Sequence, residues 1–416
     1  GSCDSMVVAK AGKTEIFHYE KEKADRQEAR EEAGEQRQAE RYVRRLSGCN
    51  LGIFEEENAL PEKVSFLDLY GCKQVKELHC MTRWQENKAG ERISVPIGFG
   101  EGRKLLSLDI HEKFHGPHGL VAGTTGSGKS ELLQTYLLSL SVSFGPEDVN
   151  FFIIDYKGGG MGHVLEKLPH CAGVISNLSG RQIKRALLSL KSENTRRQQL
   201  FGQAGVSHVD EYAALYAEGK VKEPVPHLIL VVDEFAELKK EEPEFMQEII
   251  SMAQIGRSLG VHLLLSTQKP AGTVDDRIWS NTRFRLCLRV QTKEDSMEVL
   301  KRPDAAGLTG SGQGYLQVGV EERFEKFQGA YTGNPYQPKK EKEVAVLLTK
   351  SGSRELLCKN RGTEWEENKK TELEVITEYL CNKTLEEEFG RAKSLWLPPL
   401  SDMIFLEDLK EKEEKQ

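Results

Sequence analysis

A single octapeptide limits what this chain can fold into more than any other feature. Residues 123–130 read GTTGSGKS, which fits the pattern G-x-x-x-x-G-K-[ST] of a phosphate-binding loop. An apolar run that begins at Leu120 precedes the loop, and a helix-like run that begins at Glu131 follows it. Because such a loop works between a buried strand and the N-terminus of a helix, the pattern predicts a strand, a glycine-rich turn and a helix in that order.

The residue types of this loop suit an anion of the size of a triphosphate. Glycines let the backbone curl until several N–H groups point into one concavity, and the following helix adds its positive end. Lys129 is predicted to reach the β- and γ-phosphates of ATP, and the hydroxyl of Ser130 to bind Mg²⁺. The predicted nucleotide-binding residues are Gly123, Thr124, Thr125, Gly126, Ser127, Gly128, Lys129, Ser130 and Glu131.

Two adjacent carboxylates follow a second apolar run. The run HLILVV leads directly into Asp233 and Glu234. Such a run is typical of a parallel strand that is buried on both faces, and a strand of this kind delivers its polar residues at the carboxyl edge of the sheet. We expect Asp233 to hold Mg²⁺ through a water molecule and Glu234 to be the general base that activates the attacking water.

Two more strand-like runs also end in polar residues. The run NFFIID ends at Asp155, and the run VHLLLSTQ ends at Gln268, which is predicted to sense the γ-phosphate or to position water. Helix-length segments separate the strand candidates, and the clearest are residues 180–200 and 244–258. Four strand candidates that alternate with helices predict an α/β fold with a mostly parallel sheet and right-handed crossovers.

Composition argues against several other kinds of protein. No apolar run approaches the roughly 20 residues that span a bilayer. The eight cysteines include no C-x-x-C pair, so neither a disulfide framework nor a zinc site is expected. Lys plus Arg total 58 and Asp plus Glu total 65, which gives a net charge of −7. Because nucleic-acid binders usually present a basic face, this balance disfavours a nucleic-acid partner.

The chain divides into three parts by composition. Residues 1–60 are expected to form a charged helical extension, because residues 15–45 are dominated by Glu, Lys, Arg, Gln and Ala. Residues 61–340 are expected to hold the nucleotide-binding core, with a small helical lead-in at its start. The run GNPYQP predicts a boundary, after which residues 341–416 form a linker. Apolar Trp396 suits this linker to docking on the same domain or on a neighbour.

Longer stretches of the sequence resemble a known family. The segments GLVAGTTGSGK, DYKGGGM, DEFAELK, IGRSLGVHLLLSTQKP and DAAGLTGSGQGYLQVG are similar to the FtsK/SpoIIIE branch of hexameric motor ATPases. Within that branch, PEFMQEIISMAQIGRSLG resembles the EssC/EccC/YukB ATPases of bacterial type VII secretion systems. The resemblance covers roughly residues 60–340. It implies a RecA-like P-loop NTPase of the ASCE/HerA-FtsK type, in which helices sandwich a parallel-rich sheet.

The resemblance also implies a function. Similar proteins are membrane-anchored chains with several ATPase modules in series, and they export WXG-motif and LXG-type proteins. This chain would then be a soluble first ATPase module at the cytoplasmic face of the bacterial cell membrane, with ATP and Mg²⁺ as cofactors. A homo-hexamer is expected in the assembled machine, together with other modules of the parent chain. In isolation, a monomer with weak ATPase activity is expected.

One catalytic residue is expected to come from an adjacent subunit. Ring motors of this class complete each site in this way, since the transition state places charge on the γ-phosphoryl group. Arg285 best matches the arginine that the family carries before an apolar triplet, so it is the predicted residue. Arg257, Arg283 and Arg289 are the competitors, and a purely structural role for Arg285 is the alternative.

Two other functions fit the same motifs. A double-stranded DNA translocase of the FtsK/SpoIIIE class predicts ATPase stimulation by duplex DNA with a steep salt dependence. The acidic tail at residues 407–416 does not resemble the DNA-reading domain that such pumps carry. A binding module in which ATP only locks domains together predicts no hydrolysis, even in a ring. The intact pair of Asp233 and Glu234 favours turnover over this last interpretation.

Overall fold

The structure is a computed structural model that describes residues 5–10, 13–20, 23–29, 60–156, 158, 161–176, 180–320, 322–336, 344–348, 354–359, 370–387 and 389–396. The chain divides into two compact units, Gly1–Glu57 and Asn58–Gln416. The first unit contains a three-stranded sheet, and the second contains a ten-stranded sheet and a separate two-stranded one.

Strands and helices alternate through most of the second unit. The strands are β1 (Ser5–Lys10), β2 (Lys13–Glu20), β3 (Lys23–Ala29), β4 (Ser94–Gly100), β5 (Leu105–Asp109), β6 (Gly119–Ala122), β7 (Val149–Asp155), β8 (Cys171–Ser176), β9 (His227–Asp233), β10 (Val261–Thr267), β11 (Phe284–Leu288), β12 (Gln313–Val318), β13 (Arg323–Gly329), β14 (Val344–Leu348) and β15 (Arg354–Lys359). The α-helices are α1 (Phe66–Leu69), α2 (Cys80–Glu86), α3 (Lys129–Ser143), α4 (Met161–Leu165), α5 (Gly180–Ala204), α6 (Val209–Ala217), α7 (Phe235–Glu241), α8 (Pro243–Gly256), α9 (Asp276–Asn281), α10 (Lys293–Leu300) and α11 (Glu372–Glu386). Among the residues described, no helix is long and apolar enough to cross a bilayer.

The first unit differs from the sequence prediction. Strands β1, β2 and β3 pair antiparallel, with Lys10 opposite Lys13 and Glu20 opposite Lys23. The charged helix predicted for residues 15–45 is therefore wrong for the described part of that range, because β2 and β3 occupy it. The run TEIFHY in β2 combines β-branched and aromatic residues, which favour a strand despite the charged residues around them. The remainder of the predicted helix lies outside the described residues.

The ten-stranded sheet has a parallel half and an antiparallel half. Its strand order is β5-β4-β13-β12-β11-β6-β10-β9-β7-β8. Neighbours from β11 to β8 are parallel, and neighbours from β5 to β11 are antiparallel. The predicted parallel-rich α/β sheet is confirmed. The four strands that the sequence predicted are β6, β10, β9 and β7, which lie side by side.

Both faces of the parallel half are buried. Along β9, Ile229 and Val231 lie in one core with α3, while Leu228, Leu230 and Val232 lie in a second core with α8. Successive side chains of a strand point to opposite faces. A strand that is covered on both faces therefore needs an unbroken apolar run, which is what the central strands show.

The helical lead-in packs on α3, as do the residues at the start of α11. Trp84 in α2 donates its indole N–H to the Ser141 carbonyl at 3.0 Å. The Glu372 carboxylate at the start of α11 accepts a hydrogen bond from the Phe66 backbone N–H at 2.9 Å. Within the segment predicted as a linker, Glu372–Glu386 form α11, and the buried side chains of this helix belong to the core beneath the lead-in.

A segment that follows α11 lies along β8. The backbone N–H groups of Ala392 and Leu395 donate to the carbonyls of Pro169 and Ala172 at 2.7 and 2.8 Å. The sequence suggested that this segment docks either on the same domain or on a neighbour. In the structure, residues 389–396 pack on the same domain.

Candidate active site

The phosphate loop lies between β6 and α3, where the sequence predicts it. β6 ends at Ala122 and α3 begins at Lys129. Gly126 and Gly128 have φ angles of 77° and 94°, a region in which residues with side chains are strained. A Cβ atom on Gly128 would also lie 2.9 Å from the Gly312 nitrogen. The turn therefore requires glycine for close approach as well as for its backbone angles.

Contacts from neighbouring segments hold the loop in shape. Thr124 donates its backbone N–H at 3.0 Å and its hydroxyl at 3.1 Å to the Arg289 carbonyl, just after β11. The Gly312 N–H donates to the Ser127 carbonyl at 2.8 Å, and Ser127 is fully buried. The loop is thus organised by the protein itself, as a cradle for phosphate oxygens has to be.

Lys129 is buried and already paired. The residue is 4% exposed, and its ammonium group contacts Asp233 Oδ1 and lies 2.5 Å from Ser266 Oγ. Ser266 in turn donates to Asp233 Oδ1 at 2.7 Å. Asp233 ends β9 and Ser266 lies near the end of β10, so the adjacency of these two strands brings the lysine, the carboxylate and the hydroxyl to one point. Lys129 has to leave this carboxylate in order to bind a phosphate.

Glu234 comes directly before α7 and turns toward β10. The residue is 2% exposed and has a left-handed backbone with φ 57°. Its Oε1 atom accepts hydrogen bonds from the Gln268 backbone N–H at 3.2 Å and from the Thr267 hydroxyl at 3.3 Å. The Gln268 side-chain oxygen accepts a hydrogen bond from the Thr125 hydroxyl at 3.0 Å. A chain of contacts therefore joins the phosphate loop, the predicted sensor and the predicted base.

Oxygen atoms that suit Mg²⁺ lie at the same edge of the sheet. Ser130 is exposed in the first turn of α3, and Asp233 is partly exposed. Mg²⁺ at nucleotide sites takes one or two carboxylates, phosphate oxygens and several waters. Among the described residues, no three His, Cys, Asp or Glu side chains are grouped to hold a metal unaided, so the donor set fits a metal that arrives with the nucleotide. Burial raises the pKa of the neighbouring Glu131 carboxyl group.

Arg285 does not lie near the phosphate loop of its own chain. It pairs in register with Leu120 near the start of β6, toward the opposite edge of the sheet. Its guanidinium group is buried and donates to the carbonyls of Trp279, Thr282 and Gly319, and burial lowers its pKa to about 10. These contacts suit the structural role considered as the alternative, and action on a neighbouring subunit stays a prediction.

Two competing arginines at that edge are more accessible. Arg257 pairs with Glu112 at 2.9 Å with its side chain 58% exposed, and Arg283 pairs with Glu322 at 3.0 Å with its side chain 39% exposed. Both line, with Arg285, a cavity of about 360 Å³. This cavity lies away from the phosphate loop, and none of its lining residues belongs to the candidate nucleotide site.

Sequence reasoning missed several contributors to the site. Ser266 and Thr267 contact the lysine and the two acids, and the loop that contains Gly312 packs on the phosphate loop. Signals for both were present, namely two hydroxyl residues directly before Gln268 and a second Gly-Ser-Gly run at residues 310–312. Neither signal indicates which residues it contacts, because those contacts depend on the order of the strands in the sheet.

Comparisons with known proteins identify the family to which this chain is similar. A model of the FtsK/SpoIIIE family matches residues 78–272. The chain is 46% identical over 378 residues to the type VII secretion system protein EssC of Staphylococcus aureus. The aligned region covers 89% of this chain and 26% of the relative. The chain is 47% identical over 374 residues to the ESX secretion system protein YukB of Bacillus subtilis, which covers 88% of this chain and 25% of the relative. The chain thus spans about a quarter of the length of these relatives.

A solved structure leads to the same family. The cytoplasmic domain of the Thermomonospora curvata type VII secretion ATPase EccC is 30% identical to this chain, with a TM-score of 0.68, and the match covers 82% of this chain and 36% of that one. The predicted P-loop ATPase fold is therefore confirmed. The chain carries an FtsK/SpoIIIE domain and belongs to the family of type VII secretion ATPases that EssC, YukB and EccC represent.

Proposed function

We propose that this chain is an ATP-hydrolysing motor module that drives protein export as part of a longer, membrane-associated protein. The observation that carries the proposal is the convergence of Lys129, Asp233, Glu234 and Gln268 at one edge of the parallel sheet. These residues supply a cation for phosphate, a carboxylate for a metal, a base for water and a γ-phosphate sensor. The family relationship supports WXG-motif and LXG-type proteins as the exported substrates, without a nucleic-acid partner.

Each residue of the site has a proposed role in the reaction. The amides of the phosphate loop and Lys129 bind the phosphates of ATP. Ser130 and Asp233 hold Mg²⁺, which when bound neutralises charge on the phosphate oxygens. Glu234 takes a proton from the attacking water, and Gln268 contacts the γ-phosphate and keeps that water in line.

The module is proposed to work in a homo-hexameric ring at the cytoplasmic face of the bacterial membrane, beside other ATPase modules of the parent chain. An arginine from the adjacent subunit completes each site, with Arg285 as the candidate and Arg257, Arg283 and Arg289 as its competitors. Because one face of the site lacks this cation in a monomer, the isolated module should hydrolyse ATP slowly.

Two variants test the assignment of the site. Lys129→Ala should lose ATP binding, because it removes the buried cation at the mouth of the phosphate loop. Glu234→Gln should bind ATP and fail to hydrolyse it, because the amide cannot take a proton. ATP binding by the first variant at normal affinity, or turnover by the second at the normal rate, would refute the assignment.

The rate of hydrolysis against protein concentration tests the ring and its partner. A rate per subunit that rises with concentration, and rises further with an export substrate, supports the proposal. Stimulation by duplex DNA that falls steeply with salt would instead identify a DNA translocase. Single-turnover hydrolysis that stays absent at every concentration would identify an ATP-locked module.

A further inference from the structure

The side chain of Glu234 is held by β10. Its Oε1 atom accepts hydrogen bonds from the Thr267 hydroxyl at 3.3 Å and from the Gln268 backbone N–H at 3.2 Å. Thr267 is fully buried and Glu234 is 2% exposed. Two donors, the last residue of β10 and the residue that follows it, therefore hold this carboxylate, and little solvent competes with them.

The last two residues of β10 point to opposite sides of the sheet. Ser266 lies beside the Lys129 ammonium group, whereas Thr267 contacts Glu234. Successive side chains of a strand alternate between faces, as the division of the β10 leucines between the two cores also shows. The Glu234 carboxylate therefore lies across β10 from the lysine that is proposed to hold the phosphates.

The Thr267 hydroxyl is able to exchange this carboxylate for a second acceptor. It has one proton and two acceptors at 3.3 Å, which are Glu234 Oε1 and the Lys269 carbonyl. It also accepts a hydrogen bond from the Lys269 N–H at 3.1 Å. The hydroxyl thus stays hydrogen-bonded whichever acceptor takes its proton. Glu234 has in addition a strained left-handed backbone, so both partners are arranged for a contact that breaks and re-forms.

The phosphate loop is connected to the same contact. Gln268 donates its backbone N–H to Glu234, while its side-chain oxygen accepts a hydrogen bond from the Thr125 hydroxyl at 3.0 Å. Thr125 is exposed in the loop. A triphosphate in the loop would compete for this hydroxyl. That competition would free the Gln268 side chain and allow the N–H of residue 268 to move away from Glu234.

We propose that Thr267 is a positioning residue that holds Glu234 away from the nucleotide until the phosphate loop is occupied. The proposal rests on the proposed function of Glu234 as the base. The site then has two states. In the restrained state, Thr267 contacts Glu234 as it does in this structure. In the released state, which ATP favours through Thr125 and Gln268, this contact is broken. Release of Glu234 from Thr267 is then a step that precedes hydrolysis and adds to its barrier.

Removal of one hydroxyl tests this restraint. Thr267→Val keeps the shape of the side chain and deletes the donor, so single-turnover hydrolysis by the whole chain should be about fivefold faster, as loss of one modest hydrogen bond allows. The affinity for ATP should rise by at most the same factor, because the released state is the one that ATP favours. Thr267→Ser, which keeps the hydroxyl, should return the rate toward wild type. A Thr267→Val protein that is no faster than wild type would overturn the proposal. Should that variant fold poorly in a thermal melt, Thr267→Ala takes its place with the same expected result.

Glu234→Gln in the same assay separates this restraint from the proposed function. If Glu234→Gln hydrolyses ATP like wild type, Glu234 is not the base, and both proposals fail. If it is inactive and Thr267→Val is still no faster, only the restraint fails. The double variant of Thr267→Val and Glu234→Gln should lose the gain in rate. A gain that persists in the double variant overturns the restraint, because it does not pass through Glu234.

Discussion

Replacement of Asp233 by Asn is expected to tighten nucleotide binding in the absence of Mg²⁺ while it abolishes hydrolysis. Lys129 contacts Asp233 Oδ1, and Ser266 donates a hydrogen bond to the same atom. The lysine side chain is 4% exposed and the aspartate side chain 14% exposed, so water weakens this ion pair little. The ammonium group of Lys129 therefore has to leave the Asp233 carboxylate before it can contact a phosphate of ATP.

The size of the effect follows from the strength of this pair. A hydrogen bond between charged groups contributes about 1.5–3 kcal/mol, and a tenfold change in affinity corresponds to about 1.4 kcal/mol. Asp233→Asn leaves Lys129 with a neutral acceptor, so the affinity for ATP in EDTA should rise about 10- to 150-fold. The gain should be smaller with Mg²⁺ present, because the variant also loses a carboxylate that is proposed to hold the metal.

A matched substitution separates the ion pair from general electrostatics. Asp155→Asn removes a carboxylate from the residue of β7 that pairs in register with Asp233, and it leaves the pair of Lys129 and Asp233 in place. Its effect on the affinity in EDTA should be less than about threefold. Isothermal titration calorimetry with ATP, in EDTA and in Mg²⁺, supplies the measurement. Unchanged or weaker binding by Asp233→Asn in EDTA, or an equal gain by Asp155→Asn, would refute competition between the ion pair and the nucleotide.

Four further substitutions, one of them a control, test the packing of the second unit by urea unfolding. Gly312→Ala should cost about 2 kcal/mol, because alanine is strained at its φ of 77° and its Cβ would lie 2.6 Å from Gln328 Nε2. The control Gly219→Ala has a similar φ of 71° but no atom within 4 Å of the added Cβ, so it should cost only about 1 kcal/mol. Equal losses of stability in the two variants would contradict a role for the contact with Gln328. Burial lowers the pKa of His170 to about 4, below its value of about 6.5 in an unfolded chain. Between these two values the unfolded state binds more protons than the folded state, so the wild-type protein loses stability as the pH falls. From pH 7 to pH 5, the decrease in the free energy of unfolding should be about 2 kcal/mol smaller for His170→Gln than for wild type. Arg285→Ala should destabilise the protein by about 2–4 kcal/mol, since carbonyls around a buried cation lose their donor, and wild-type stability would argue against its structural role.

Contiguous patterns made much of the site predictable from sequence. The glycine-rich turn between a strand and a helix, and the two acids after an apolar run, each carry their own chemistry within a few neighbouring residues. The contacts of Ser266 and Thr267 could not be predicted in this way, because they depend on β10 lying beside β9. That order is set by packing between distant parts of the chain.

Two other outcomes show the limits of local evidence. The average composition of residues 15–45 predicted a charged helix, but the β-branched and aromatic residues of β2 outweigh that average where the structure describes it. Arg285 was selected for its place before an apolar triplet. Its burial beneath Trp279, with the guanidinium carbon 3.8 Å from the ring centroid, depends on a helix that packs against the strand.

The placement of residues 389–396 has a consequence for the behaviour of the protein in solution. β8 is the outermost strand of the parallel half, and a bare outermost strand offers its unpaired backbone groups to any other chain that adopts an extended shape. The amides of Ala392 and Leu395 already occupy carbonyls there. Residues 389–396 thus cover the beginning of this outermost strand, and a protein in which they are detached should aggregate more readily through its exposed backbone groups.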